Sequence, residues 1–163
     1  MLSIEPLRLD VSRYDHPSWG EKCWRWVPFM GWTIANELEK RRLTLGHELL
    51  AQQLASRPVL RSQAISDNDV RARVAAFIAR TVKDCVGWPN DRFISEDPYS
   101  LMMFSDEGAG IEVINAIEEY LDLPQEIMSN EQIEQFYRMT FGQVVEYVVL
   151  LSEGRKGEGK RQA

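Results

Sequence analysis

Histidine and cysteine are scarce in this chain of 163 residues, with two of each: His16 and His47, Cys23 and Cys85. Neither histidine stands at a spacing used for metal ligation or acid–base catalysis, and both are expected as surface or interface residues. Two cysteines make neither a disulfide framework nor a metal set, so they are expected as reduced thiols of a cytoplasmic protein. The chain contains no Cys-x-x-Cys, His-Glu-x-x-His, Gly-x-Ser-x-Gly or phosphate-loop motif. Gly108-Ala109-Gly110 is half of a dinucleotide fingerprint, but without a βαβ frame it is expected as a loose turn. Glu118 and Glu119 diverge by about 100° on a helix and form no acid/base pair. Together these absences predict a non-enzymatic protein with no cofactor and no metal. No apolar run approaches the roughly 18–20 residues of a membrane span. The first twenty residues lack the apolar core of a signal peptide.

Basic residues are missing from one long stretch. Between Phe93 and Tyr137 there are eleven Asp or Glu and no Lys or Arg. The net charge of −6 is therefore unevenly spread. Residues 1–64 hold nine Lys/Arg against seven Asp/Glu, residues 65–152 hold six against sixteen, and residues 153–163 hold four against two. Such a field repels nucleic acid and favours a protein partner with a basic patch. With 44% hydrophobic residues the chain can build a core large enough for one small domain and an extension.

Apolar periodicity predicts helices over 67–86, 107–123, 130–137 and 141–152. In the first, Val70, Val74, Phe77, Ile78, Thr81, Val82 and Cys85 line one face, Ser66 or Asp67 is the expected cap, and Gly87 to Asn90 end it. In the second, Ile111, Ile114, Ile117 and Leu121 share a stripe that is expected to face inward. Asp106 and Glu107 stand at its N-terminus, where carboxylates meet orphan N–H groups and the positive end of the dipole. Ser129 with Gln132, and Thr140 with Gln143, fit capping boxes that open the last two helices. The loop over 90–105 carries Phe93, Ile94, Leu101, Met102 and Phe104, expected to plug the bundle. Residues 153–163 have no apolar anchor and are expected as a disordered tail.

The segment Glu112-Val-Ile-Asn-Ala-Ile-Glu-Glu-Tyr-Leu121 resembles the second helix of an acyl carrier protein. Met139-Thr-Phe-Gly-Gln-Val-Val-Glu-Tyr-Val148 is similar to that family's last helix. The resemblance covers about Asp67–Leu151 and implies an all-α fold, an acyl-carrier-like four-helix bundle over 65–152. In that family an Asp-Ser-Leu triplet opens the second helix, and its serine carries 4′-phosphopantetheine. Here the triplet falls on Asp106, Glu107 and Gly108, so the attachment serine is replaced by a carboxylate. What the resemblance implies is a module that binds a basic partner through the acidic helix, by Asp106, Glu107, Glu112, Glu118, Glu119 and Asp122, without the arm. One alternative is a genuine carrier modified on Ser105 that shuttles acyl thioesters.

Residues 1–64 have no counterpart in a minimal carrier protein and form a Trp-rich, partly helical extension. Leu7, Leu9 and Val11 alternate with charges, as in a short strand or an irregular arm. Trp19, Trp24, Trp26, Phe29, Met30 and Trp32 fall within fourteen positions, with Pro28 placed to break any helix. These rings are expected to cover an apolar face of the neighbouring domain. The competing possibility is an exposed aromatic patch for a partner or a membrane surface, which would make the chain a regulatory or structural module. Residues 33–57 are periodic as a helix, although Gly46 weakens one unbroken span. Lys40, Arg41 and Arg42 are expected on a solvated face, and Ser56–Gln63 as a linker.

Overall fold

The computed structural model describes residues 4–10, 14, 17–28, 30–58, 69–104, 107–122 and 130–159. Seven helices lie among them: α1 (Trp19–Trp24), α2 (Gly31–Ser56), α3 (Val70–Val86), α4 (Tyr99–Met102), α5 (Glu107–Tyr120), α6 (Asn130–Arg138) and α7 (Phe141–Gly159). The described residues contain no strand, and the one β-bridge joins Pro98 to Thr140.

The α3 helix is central because its apolar residues recur at helical spacing along one face. Val74, Ile78 and Val82 are buried from that face. The cap is Asp69, whose side chain accepts from the Ala72 N–H at 3.1 Å, while Ser66 and Asp67 lie outside the described residues. Gly87 ends the helix at φ 80°, a left-handed conformation that costs little without a Cβ. The α3 helix packs against both α5 and α7. Val74, Ile78, Ile114, Ile117 and Val145, expected to share one core, do so.

Phe93, Leu101, Met102 and Phe104 from the loop fill that core as expected, with Ile94 half-buried. The loop also folds one turn of helix, α4, which packs on α6. Its backbone closes the start of α7, because Ser95 and Asp97 carbonyls accept from the Gly142 and Phe141 N–H groups at 2.9 and 2.8 Å. The expected capping box is present. Thr140 N–H donates to Gln143 Oε1 at 2.8 Å, and Gln143 N–H donates to Thr140 Oγ1 at 3.4 Å. Four orphan N–H groups at a helix start need such acceptors. The other expected box begins at Ser129, outside the described residues.

The α7 helix does not stop near 152. It runs to Gly159, so the tail expected to be disordered is helical over 153–159, and 160–163 lie outside the described residues. Each added residue of a formed helix gains a backbone hydrogen bond without a new nucleation cost, so an apolar anchor is not required for a few more residues.

The α2 helix is a single span of 26 residues despite Gly46. The glycine is a contact point, since a Cβ there would lie 2.5 Å from the Phe104 ring. Beyond it, Leu50 and Leu54 enter the same core as α3, α5 and α7, so α2 shares one apolar interior with them. The N-terminal arm reaches that interior through Leu7, which is buried. It forms no strand. The side-chain amide of Gln53 takes the place of a neighbouring strand, accepting from the Arg8 N–H at 3.0 Å and donating to the Arg8 carbonyl at 2.8 Å.

An ion pair locks these parts together. Arg57, at the end of α2, donates through both terminal nitrogens to Asp97, each contact 2.6 Å, and both side chains are buried. Asp97 also accepts from the Leu7 and Ile94 N–H groups at 2.8 Å. Arg57 also donates to the Arg92 and Glu5 carbonyls at 2.8 and 2.9 Å. The segment expected as a linker thus begins with a buried anchor.

Candidate functional site

The acidic helix α5 presents two faces. At about 100° per residue, Ala109, Val113, Ile117 and Ile114 sweep out the buried arc, and all four are buried. Ile111 falls outside that arc and is 60% exposed, against the expectation that it turns inward. Val113 and Ala109 shift the centre of the apolar face away from Ile111, a shift visible in the sequence once both are counted. Glu118, seven residues on, lies at the same edge within about 20° of Ile111, yet it is 1% exposed, so it is removed from the expected partner-binding set. The outer ridge consists of Ile111, Glu112, Asn115 and Glu119, all exposed. Asp122 follows, exposed and in a left-handed conformation at φ 53°.

Gly108-Ala109-Gly110 forms part of the first turns of α5 and is not a loose turn. Asp106 and Ser105 lie outside the described residues, and Glu107 is described only as the first helical residue. The alternative arm on Ser105 therefore has no described geometry. No group of three or more His, Cys, Asp or Glu that could hold a metal occurs among the described residues.

The expected tryptophan burial is overturned. Trp26 is 88% exposed, Trp19 82%, Trp32 70% and Trp24 40%, with Met30 and Val27 exposed beside them. Phe29 lies outside the described residues. The physical reason is the length of α2. Its C-terminal half reaches the main core cluster, which none of residues 31–42 joins, although Ala35 is buried. They meet α1 instead, across a turn that contains Pro28. Within this tip, Gly31 sits under the Trp24 carbonyl, and Arg42 Nε donates to the buried Glu21 at 3.1 Å. The basic cluster is accordingly split: Lys40 and Arg41 are exposed, and Arg42 is half-buried.

The remaining chemistry-bearing groups serve packing. Trp88, the one other tryptophan, is buried, donates from its indole to the Met102 carbonyl at 2.7 Å and stacks on His47 at 4.3 Å. Cys23 is exposed and Cys85 half-buried, and neither is in a disulfide. Burial, with Tyr137 and Cys85 nearby, pushes the Tyr99 hydroxyl well above its ordinary range. That hydroxyl has no hydrogen-bond partner among the described residues. Among the described residues, no helix is long and apolar enough to cross a membrane.

Comparisons with protein-family models, with curated proteins and with solved structures found no match for this chain.

Proposed function

We propose that this chain is a non-enzymatic, acyl-carrier-like module that docks on the basic patch of a protein partner through the outer ridge of α5, without a phosphopantetheine arm. The observation that carries this proposal is the exposed Ile111 set beside Glu112, Asn115 and Glu119. An apolar side chain that desolvates at the centre of a contact, flanked by charges that orient it, is the usual composition of a helical docking surface. The succession of α3, the long loop with α4, α5, α6 and α7 supports the carrier-like part, as does the apolar plug from the loop. Glu107, in the position of the family's serine, offers no hydroxyl equivalent to the serine's for attachment of the arm.

The test is a pull-down from the native host in which wild type is compared with Glu112→Lys/Glu119→Lys. Both substitutions lie on the exposed ridge, so stability should move by no more than about 0.5 kcal/mol. The expected outcome is loss of partners that wild type recovers, with recovery by wild type also falling as salt is raised. Exposed charges are screened within about 8 Å at physiological ionic strength. Equal recovery by both proteins would sink the proposal. Intact mass after co-expression with a broad-specificity phosphopantetheinyl transferase separates it from the Ser105 carrier alternative, and no added mass is expected.

A further inference from the structure

The tip formed by α1 and the first half of α2 is unused by the acidic-helix proposal and stands apart from it. Residues Gly31 to Arg42 extend roughly 18 Å of helix beyond the last turn that packs on the core, at about 1.5 Å per residue. On α1 Trp19, Lys22 and Cys23 stand at i, i+3 and i+4, Trp26 follows in the turn after the helix, and all four are exposed. On α2 Trp32 and Lys40, eight positions apart, are both exposed and add a second ring and ammonium to the tip. Every acidic residue of the tip is engaged by an arginine: Glu21 by Arg42, Glu37 by Arg41 and Glu39 by Arg25. Lys22 and Lys40 pair with no carboxylate among the described residues. The uncompensated charge of the tip is therefore positive, although the whole chain carries −6.

We infer that this tip is a lipid-binding element, which seats its tryptophans in the interface of a bilayer that contains anionic phospholipid. Indole rings favour the headgroup level, where the ring is dehydrated and its N–H stays solvated. Each lysine near an anionic surface adds roughly 1 kcal/mol, so Lys22 and Lys40 supply an electrostatic component. The aliphatic members of the patch, Val27 and Met30, suit an acyl boundary and have no flat face for stacking on bases. Two free lysines also fall short of the phosphate contacts that a single-stranded nucleic acid requires. The contact is peripheral, since no helix of the described residues is long and apolar enough to cross a membrane.

The experiment is co-sedimentation of the full chain with vesicles of phosphatidylcholine alone and of phosphatidylcholine with one-third phosphatidylserine, read together with tryptophan quenching by brominated lipid. Wild type is expected to sediment with both vesicle types, more strongly with the mixed ones, and to be quenched. Trp19→Ser/Trp26→Ser/Trp32→Ser should lose binding to both vesicle types. Lys22→Gln/Lys40→Gln should lose on the order of tenfold in partitioning to the mixed vesicles only. Circular dichroism of each variant checks that the fold is intact, and the lysine pair, remote from any core contact, keeps the test decisive if the tryptophan variant misfolds. Wild type that fails to sediment with either vesicle overturns the inference. So does light scattering that shows a dimer dispersed by the tryptophan changes in the absence of vesicle binding, because the occupant of the tip is then a second copy.

Discussion

Removing one half of the Arg57–Asp97 pair should destabilise the protein more than any surface change. Asp97 is fully buried and accepts four hydrogen bonds, two from Arg57 and one each from the Leu7 and Ile94 N–H groups. Asp97→Asn leaves the Arg57 guanidinium buried without a counter-charge, and Arg57→Met leaves the carboxylate in the same position. Breaking a buried pair from one side costs about 3–5 kcal/mol. In a chain of this length each kcal/mol lowers Tm by about 2–4 °C, so a drop of roughly 6–20 °C is expected. The double variant carries neither orphan charge and should cost less than the sum of the singles, with a coupling of about 1–3 kcal/mol. Urea denaturation with a shared m-value measures all three. Added salt should leave the single-variant costs almost unchanged, since a buried pair is poorly screened. By contrast the exposed Arg41–Glu37 pair, at 3.4 Å, contributes no more than about 1 kcal/mol. A cost below about 1 kcal/mol for Asp97→Asn, or strict additivity of the pair, would refute the view that this contact joins the arm, α2 and the loop.

Gly46→Ala should destabilise by about 1–3 kcal/mol through overpacking, despite its better helix propensity, because its Cβ would lie 2.5 Å from Phe104; a stabilised variant in thermal melts would contradict the close approach. Tyr99→Phe removes a buried hydroxyl without a partner and should leave stability unchanged or raise it by about 1 kcal/mol at neutral pH. Burial raises the Tyr99 pKa in the folded state, so its neutral form favours folding fully below about pH 10 and loses that contribution as the pH rises further and the unfolded chain ionises first. Wild type should therefore lose stability more steeply than Tyr99→Phe above pH 10, and parallel pH profiles would refute this. Trp19→Ser, Trp26→Ser and Trp32→Ser should each shift stability by within about 0.5 kcal/mol, as exposed side chains do, and a larger loss in urea melts would show that the rings are covered in solution.

Local chemistry was legible in the sequence wherever the deciding interaction is short-range. The periodicity of Val74, Ile78 and Val82, the Gly87 stop and the Thr140–Gln143 cap each involve residues within a few turns of one another, so spacing alone predicted them. Pro28 likewise ended α1 and α2 as separate helices, because its missing N–H acts on its own turn. Ile111 and Glu118 were misassigned for a different reason. Both lie at one edge of the α5 apolar arc, about 20° apart around the axis, so spacing does not separate them, and which of the two is covered depends on what packs against each turn of that edge. The tertiary structure alone decided three matters. Gly46 became a contact and not a break because Phe104, far away in the chain, lies against it. Arg57 became a buried anchor because Asp97 and the arm's Glu5 carbonyl converge on it from both sides. The tryptophans were left in solvent because α2 outruns the core it packs on, and no property of a Trp-rich sequence states how far a helix extends beyond its last partner.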